Sequence, residues 1–205
     1  MSKELSLQSP SSAGNAISIW LGTLPIVLAG SALVAVSAHV ALPLGFTPVP
    51  LTLQTLAVLL LGLVLPPRLA AATMLAYLLE GAAGLPVFAP TPTMNGGLAH
   101  LLGPTGGYLL AYPFAAALAG FAWRRTVRSF AGAALSAAAG SVIIVACGAL
   151  WLEALTHGSA QSVLTFSVIP FLPGDALKAI VAAAAANGFL RVRRLRGSES
   201  GAASK

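Results

Sequence analysis

The chain has 205 residues, 57% hydrophobic and only 8% charged, with a formal net charge of +6. A water-soluble domain carries about 25% charged residues, so too few are present here to cover a water-facing surface, and the class is integral membrane. One cysteine, Cys147, rules out an intrachain disulfide and a cysteine-built metal site; within its apolar run it is expected to be a small buried hydrophobe.

Residues 1–15 are polar and are expected to form a disordered tail. Lys3 is offset by Glu4, and the apolar run from Ile17 to about Leu42 is longer than the roughly 7–15 residues of a signal-peptide core, so a retained helix is expected. A membrane span takes about 20 apolar residues, somewhat fewer where a helix is short or the bilayer thins. Six segments qualify: roughly 18–42, 52–65, 69–88, 105–123, 130–153 and 171–190. The second is short and bracketed by Pro48, Pro50, Pro66 and Pro67; the fourth starts after GPTGG, where proline and glycine mark a helix start. The expected fold is all-α, a six-transmembrane-helix bundle forming one domain over 16–196, with a polar, disordered tail at 197–205.

The charges orient this bundle. With a cytoplasmic N-terminus, Lys3, Arg68, Arg124, Arg125, Arg128, Arg191, Arg193, Arg194, Arg196 and Lys205 all face the cytoplasm, and Lys178 is the only one of the 11 basic residues left over. The opposite loops, around 43–51, 89–104 and 154–170, hold no lysine or arginine. This is the positive-inside pattern, so both termini are expected to be cytoplasmic in a multi-pass protein. The basic residues then face anionic membrane lipid, and no nucleic-acid partner is expected.

Of the acids, Glu4 and Glu199 lie in the tails and Glu153 near the outer end of the fifth segment, while Glu80 and Asp175 fall within segments, as does Lys178. An ionisable residue at the bilayer centre costs about 2.5–3.5 kcal/mol, which favours positions that face a partner or a cavity. In FLPGDALKAI, residues 171–180, Gly174 is expected to cap the sixth helix and Asp175 to sit in its first turn, where the helix dipole favours a carboxylate. Spacing i, i+3 places Lys178 on the same face. The net-neutral pair offers an acceptor beside a cationic donor, which suits a polar ligand group; a structural bridge is the alternative. Glu80 either joins that site or snorkels to the interface.

Two outer loops add uncharged polar groups: Thr47, Thr52, Gln54 and Thr55 in FTPVPLTLQT, and Asn95, His100, Thr105 and Tyr108 in TPTMNGGLAHLLGPTGGY. His100 alone is expected to be interfacial rather than a ligand. No GxxxxGK[ST], HExxH or GxSxG occurs, and His39 and His157 lie far apart, so neither an enzyme centre nor a metal or cofactor site is expected. Ser31, Ala35 and Ala38 form a small-residue stripe on the first helix, suited to close contact within the bundle or with another subunit.

The blocks PVPLTLQTLAVLLLG (48–62), AYLLEGAAGLPVFA (76–89), LLGPTGGYLLAYP (101–113) and PGDALKAIVA (173–182) together resemble the BioY family. Its members are the biotin-specific substrate-binding (S) components of prokaryotic energy-coupling-factor (ECF) transporters. The resemblance implies a six-helix bundle in the cytoplasmic membrane that captures biotin near its outer face for uptake. It further implies a transmembrane coupling protein and two ABC-type ATPase subunits as partners, with ATP hydrolysis left to those ATPases. The family's Asp–x–x–Lys pair falls on Asp175 and Lys178; its outer-loop polar groups fall on Thr52, Gln54, Asn95 and Tyr108. TPTMN departs from the serine- and glycine-rich form of that segment, and Glu80 stands where the family pattern allows either an apolar residue or an acid. A small intramembrane enzyme using Asp175 and Glu80, or a channel, are the competing classes; the first lacks a nucleophile or metal constellation, the second a polar stripe through the inner half.

Overall fold

A computed structural model describes residues 12–91, 96–126 and 128–202. Helix covers the apolar segments. The helix α1 (Ser12–His39) is joined to α2 (Gln54–Val64) through a two-residue antiparallel ladder of β1 (Ala41–Leu42) and β2 (Leu51–Thr52), in the register Ala41↔Thr52 and Leu42↔Leu51. The ladder closes the proline-rich 43–50 loop at its base. The next helix, α3 (Pro67–Ala82), opens on a proline, whose missing N–H costs nothing at the first helical position.

The third segment ends earlier than the 69–88 expected. Gly84, at φ 96°, takes the left-handed conformation that closes a helix; its N–H donates to Gly81 O at 3.0 Å and that of Leu85 to Glu80 O at 3.1 Å. The chain then doubles back and lays Phe88 over Gly81, where a β-carbon would collide with the ring. A short helix α4 (Leu98–Leu102) and the long α5 (Gly106–Arg125) flank the GPTGG turn, which Trp151 Nε1 anchors by donating to Gly103 O at 2.9 Å.

Ser129 starts α6 (Phe130–Thr156) by accepting from the Gly132 N–H at 3.0 Å. The 154–170 segment, expected to be a loop, is largely helical: α7 (Ala160–Val163), capped by Ser159, runs into a π-helical turn at Leu164–Val168. The axis then bends by 46° into α8 (Leu172–Ala202). Gly174 lies inside the first turn of α8 instead of capping it, because Pro173 is tolerated ahead of the first needed donor; the Asp175 N–H already bonds Phe171 O at 2.8 Å.

The central element is α2. Seven of its 11 residues are buried, and it touches α1, α3, α5, α6 and α8. Around it the core divides in two. Tyr77, Phe88, Tyr108, Tyr112 and Phe171 dominate one cluster, while alanines 179, 182, 183 and 186 of α8 meet Leu59, Leu63 and Trp123 in the other. Small side chains bring helices close where lipid supplies no hydrophobic drive. The outer face is apolar: Leu79, Phe114 and Leu135 are 69%, 72% and 73% exposed, as suits hydrocarbon rather than water. Cys147 lies exposed, against the expectation of burial; α6 turns that side away from the core.

By length and composition, Gly22–His39 and Phe130–Thr156 can each cross a membrane, and the bent pair from Ala160 to Val192 makes a third if it is one span. At 11 residues α2 is only about 16 Å long, roughly half the hydrocarbon thickness. A six-crossing count therefore rests on the loop charges and not on helix length.

Candidate functional site

A cavity opens at the aromatic-rich end of the core, between α2, α5, α6, α8 and the loops above them. Asp175 and Lys178, Thr52, Gln54 and Thr55, His100, Thr105 and Tyr108 supply its polar lining. Val49, Leu109, Tyr112, Ile144 and Phe171 are among its apolar walls. The free space is about 50 Å³, room for a few waters.

Both members of the α8 pair are buried, with side chains 9% exposed. Lys178 Nζ donates to Asp175 Oδ1 at 3.0 Å and to Thr55 Oγ1 on α2 at 3.0 Å. These two bonds use two of the three ammonium N–H groups and only Oδ1 of the carboxylate. The i, i+3 spacing brings the charges together, and Thr55 supplies the second acceptor that such a desolvated cation requires.

Gln54 is fixed from both ends. Its Nε2 donates to Tyr77 Oη, and its Oε1 accepts from Thr52 Oγ1 at 3.2 Å. Tyr77 in turn donates to Val87 O at 3.0 Å, which ties the strap after α3 to the cavity wall. Tyr108 presents its ring to the cavity and spends its hydroxyl on Ser167 O at 3.0 Å, so it lines the wall and holds the π-helical turn.

Of the seven residues expected to contact the ligand, five come together, Asp175, Lys178, Thr52, Gln54 and Tyr108, joined by Thr55, His100 and Thr105 from the same loops. Asn95 lies outside the described residues. Glu80 does not line the cavity; its Oε1 accepts from Ser31 Oγ at 2.8 Å, because α3 ends just beyond it and turns it toward α1. That bond also assigns the small-residue stripe: Ser31 and Ala38 are buried, and α1 contacts α3, so the stripe packs internally.

His100 was expected at the interface and is instead 2% exposed on the cavity wall, stacked on Phe88 with ring centroids 5.3 Å apart. Burial holds its imidazole below the ordinary pKa, which favours the neutral ring. Its only sequence signal was its place between the NGG and GPTGG stretches. Thr55 was visible as a loop polar group, but nothing local pointed it at Lys178. Among the described residues no group of three His, Cys, Asp or Glu could hold a metal ion.

The model of the BioY family matches residues 10–195. The chain belongs to the BioY family. It is 41% identical over 151 residues to the "Probable biotin transporter BioY" of Pyrococcus horikoshii, covering 74% of this chain and 85% of that one. With the biotin transporter BioY of Thermotoga maritima it shares 38% over 165 residues, 80% of this chain and 92% of the relative. The fold is similar to a crystal structure of the S-component for biotin from an ECF-type ABC transporter, with a TM-score of 0.75 and 28% identity over 91% of this chain and 95% of that one. Together with the apolar outer face, family membership makes this BioY protein a multi-pass transporter of the prokaryotic cytoplasmic membrane and not an enzyme.

Proposed function

We propose that this BioY protein captures biotin from outside the cell as the S-component of an ECF transporter. Six helices form one membrane domain over 16–196 with both termini cytoplasmic, and the cavity lies toward the outer face. The observation that carries the assignment is the buried Asp175–Lys178 pair at a cavity wall, whose bonds use only one carboxylate oxygen and two of the three ammonium N–H groups. A ureide places an N–H donor and a carbonyl acceptor side by side. Its N–H meets Asp175 and its carbonyl meets Lys178, so one ring engages both groups. Tyr108, Tyr112, Ile144 and Phe171 bury the sulfur ring and chain.

Thr52 and Gln54 hold the approach to the pair, and the 46–55 segment acts as a lid. The free space is too small for a bicyclic vitamin, so the loops over the cavity open before the ligand seats. No cofactor takes part. ATP hydrolysis belongs to two ABC-type ATPase partners, acting through a transmembrane coupling protein. Binding of labelled biotin to the purified chain, with excess unlabelled biotin as competitor, tests the proposal: saturable, displaceable binding at submicromolar ligand is expected. Its absence sinks the assignment.

A further inference from the structure

A second cavity lies on the far side of Asp175, where α6 faces the break between the π-helical turn and α8. Its volume is about 610 Å³, against about 50 Å³ for the cavity described above, and Val145 and Asp175 line both. Further along the two helices, Ala133 and Ala137 share one buried cluster with Ala182, Ala183 and Ala186, so small side chains close the seam there. The cavity walls are apolar, from Val142, Ala149 and Leu150 on α6 and Leu164, Leu172 and Ala176 opposite. Val142, Leu150, Leu164 and Leu172 are also more than half exposed, so in a membrane protein the cavity opens sideways into hydrocarbon. From Ala138 to Glu153 the α6 lining runs about 22 Å, more than the roughly 15 Å of one leaflet's hydrocarbon.

A lipid tail fits this shape better than a protein helix does. The wall opposite α6 bends by 46° partway along, which a straight helix of about 10–12 Å diameter cannot follow and a flexible acyl chain can. The end of the cavity nearest the α6–α7 loop carries a charge. Glu153 is half-buried there and forms no ion pair among the described residues. Asp175, the other ionisable lining residue, is neutralised by Lys178, and the neighbouring 154–170 segment holds no lysine or arginine to compensate Glu153. A primary ammonium brings both the opposite charge and N–H donors; a quaternary ammonium brings charge alone, and an anionic headgroup is repelled. We propose that the α6–α8 cavity binds one phospholipid with a primary-ammonium headgroup, phosphatidylethanolamine, its acyl chain along the apolar walls and its ammonium on Glu153. The chain then backs the wall that Val145 and Asp175 share with the smaller cavity. This site is separate from the ligand site proposed above and does not depend on it.

The test titrates the delipidated full-length chain in detergent with palmitoyl-oleoyl phosphatidylethanolamine, phosphatidylcholine or phosphatidylglycerol and reads retained lipid by native mass spectrometry. One phosphatidylethanolamine per chain is expected, held at least about fivefold more tightly than the other two lipids. Glu153→Gln should remove that preference and leave tail binding. Ala149→Phe, one turn from Glu153, should fill the cavity and weaken retention of all three lipids by at least about tenfold. Melting temperatures in detergent identify a variant that has lost its fold, and Ala146→Phe, at an exposed position on the same wall, repeats the test at a second site. No retained lipid, or a preference that survives Glu153→Gln, overturns the proposal. Lipid retained without headgroup preference, or retained equally by both phenylalanine variants, is annular lipid only and overturns it too. A dimer that the phenylalanine variants abolish overturns it in favour of a second copy of the chain. Biotin capture stands or falls on its own binding test.

Discussion

Asp175 and Lys178 sit one turn apart on a helix whose other residues in that stretch are apolar, and their burial is tolerable only because each satisfies the other and Thr55 takes a further N–H. Asp175→Asn or Lys178→Met removes a charged partner from the proposed ligand contact. Each should weaken biotin binding by about 1.5–3 kcal/mol, roughly tenfold to more than a hundredfold. The double variant distinguishes the two roles. A bridge that only holds α8 would be replaced by the neutral pair with affinity recovered, whereas a ligand site should yield a stable protein that still fails to bind. Melting temperature and affinity measured on the same three variants decide the matter. Glu80 provides the contrast: Glu80→Gln should lower the melting temperature through the weakened Ser31 bond and leave biotin affinity within about twofold, since the residue lies off the cavity. A large loss of affinity would bring Glu80 back into the site.

Among the elements, the contact between α5 and α6 sets the cavity wall. A β-carbon on Gly107 would lie 2.7 Å from Cys147 O and collide with the Trp151 side chain, and one on Gly148 would strike the Tyr108 ring. The two helices therefore meet where glycine backbone packs directly on the Trp151 and Tyr108 side chains. Gly148→Ala should push Tyr108 off its position, break its bond to Ser167 O and lower both stability, by about 1–3 kcal/mol, and biotin affinity. Retention of wild-type melting and affinity would mean that α6 can move away without disturbing the site. The stripe on α1 obeys the same logic. Because Ser31 bonds Glu80 on α3 and both Ser31 and Ala38 are buried, Ser31→Leu should destabilise the protein itself rather than act only on assembly with partner subunits.

At the scale of the whole molecule, the apolar outer face and the basic loops determine how the bundle sits in the bilayer. With Cys147 replaced by alanine, Ala160→Cys should react with an impermeant thiol reagent in intact cells, and Thr126→Cys only after permeabilisation. The reverse pattern would invert the bundle and move the cavity to the cytoplasmic side. The chain also carries no phosphate-binding loop of the GxxxxGK[ST] type, so sustained concentrative biotin uptake should require added ATPase and coupling subunits. Uptake in vesicles containing this chain alone, fuelled by no ATP, would remove that dependence.

Composition and period were enough for the membrane class, for the helical segments and for the shared face of Asp175 and Lys178, because these follow from hydropathy and from the 3.6-residue turn within one stretch of chain. The four motif blocks were enough for the family. Tertiary structure alone decided what those groups meet. Lys178 reaches Thr55 across 123 positions and Ser31 reaches Glu80 across 49, and no local pattern encodes either distance. Glu80 left the cavity because a glycine at positive φ ends α3 just past it, and His100 joined it because α4 folds in over Phe88. An isolated charged or polar residue in an apolar chain announces that it needs a partner; which partner it finds depends on how the helices pack.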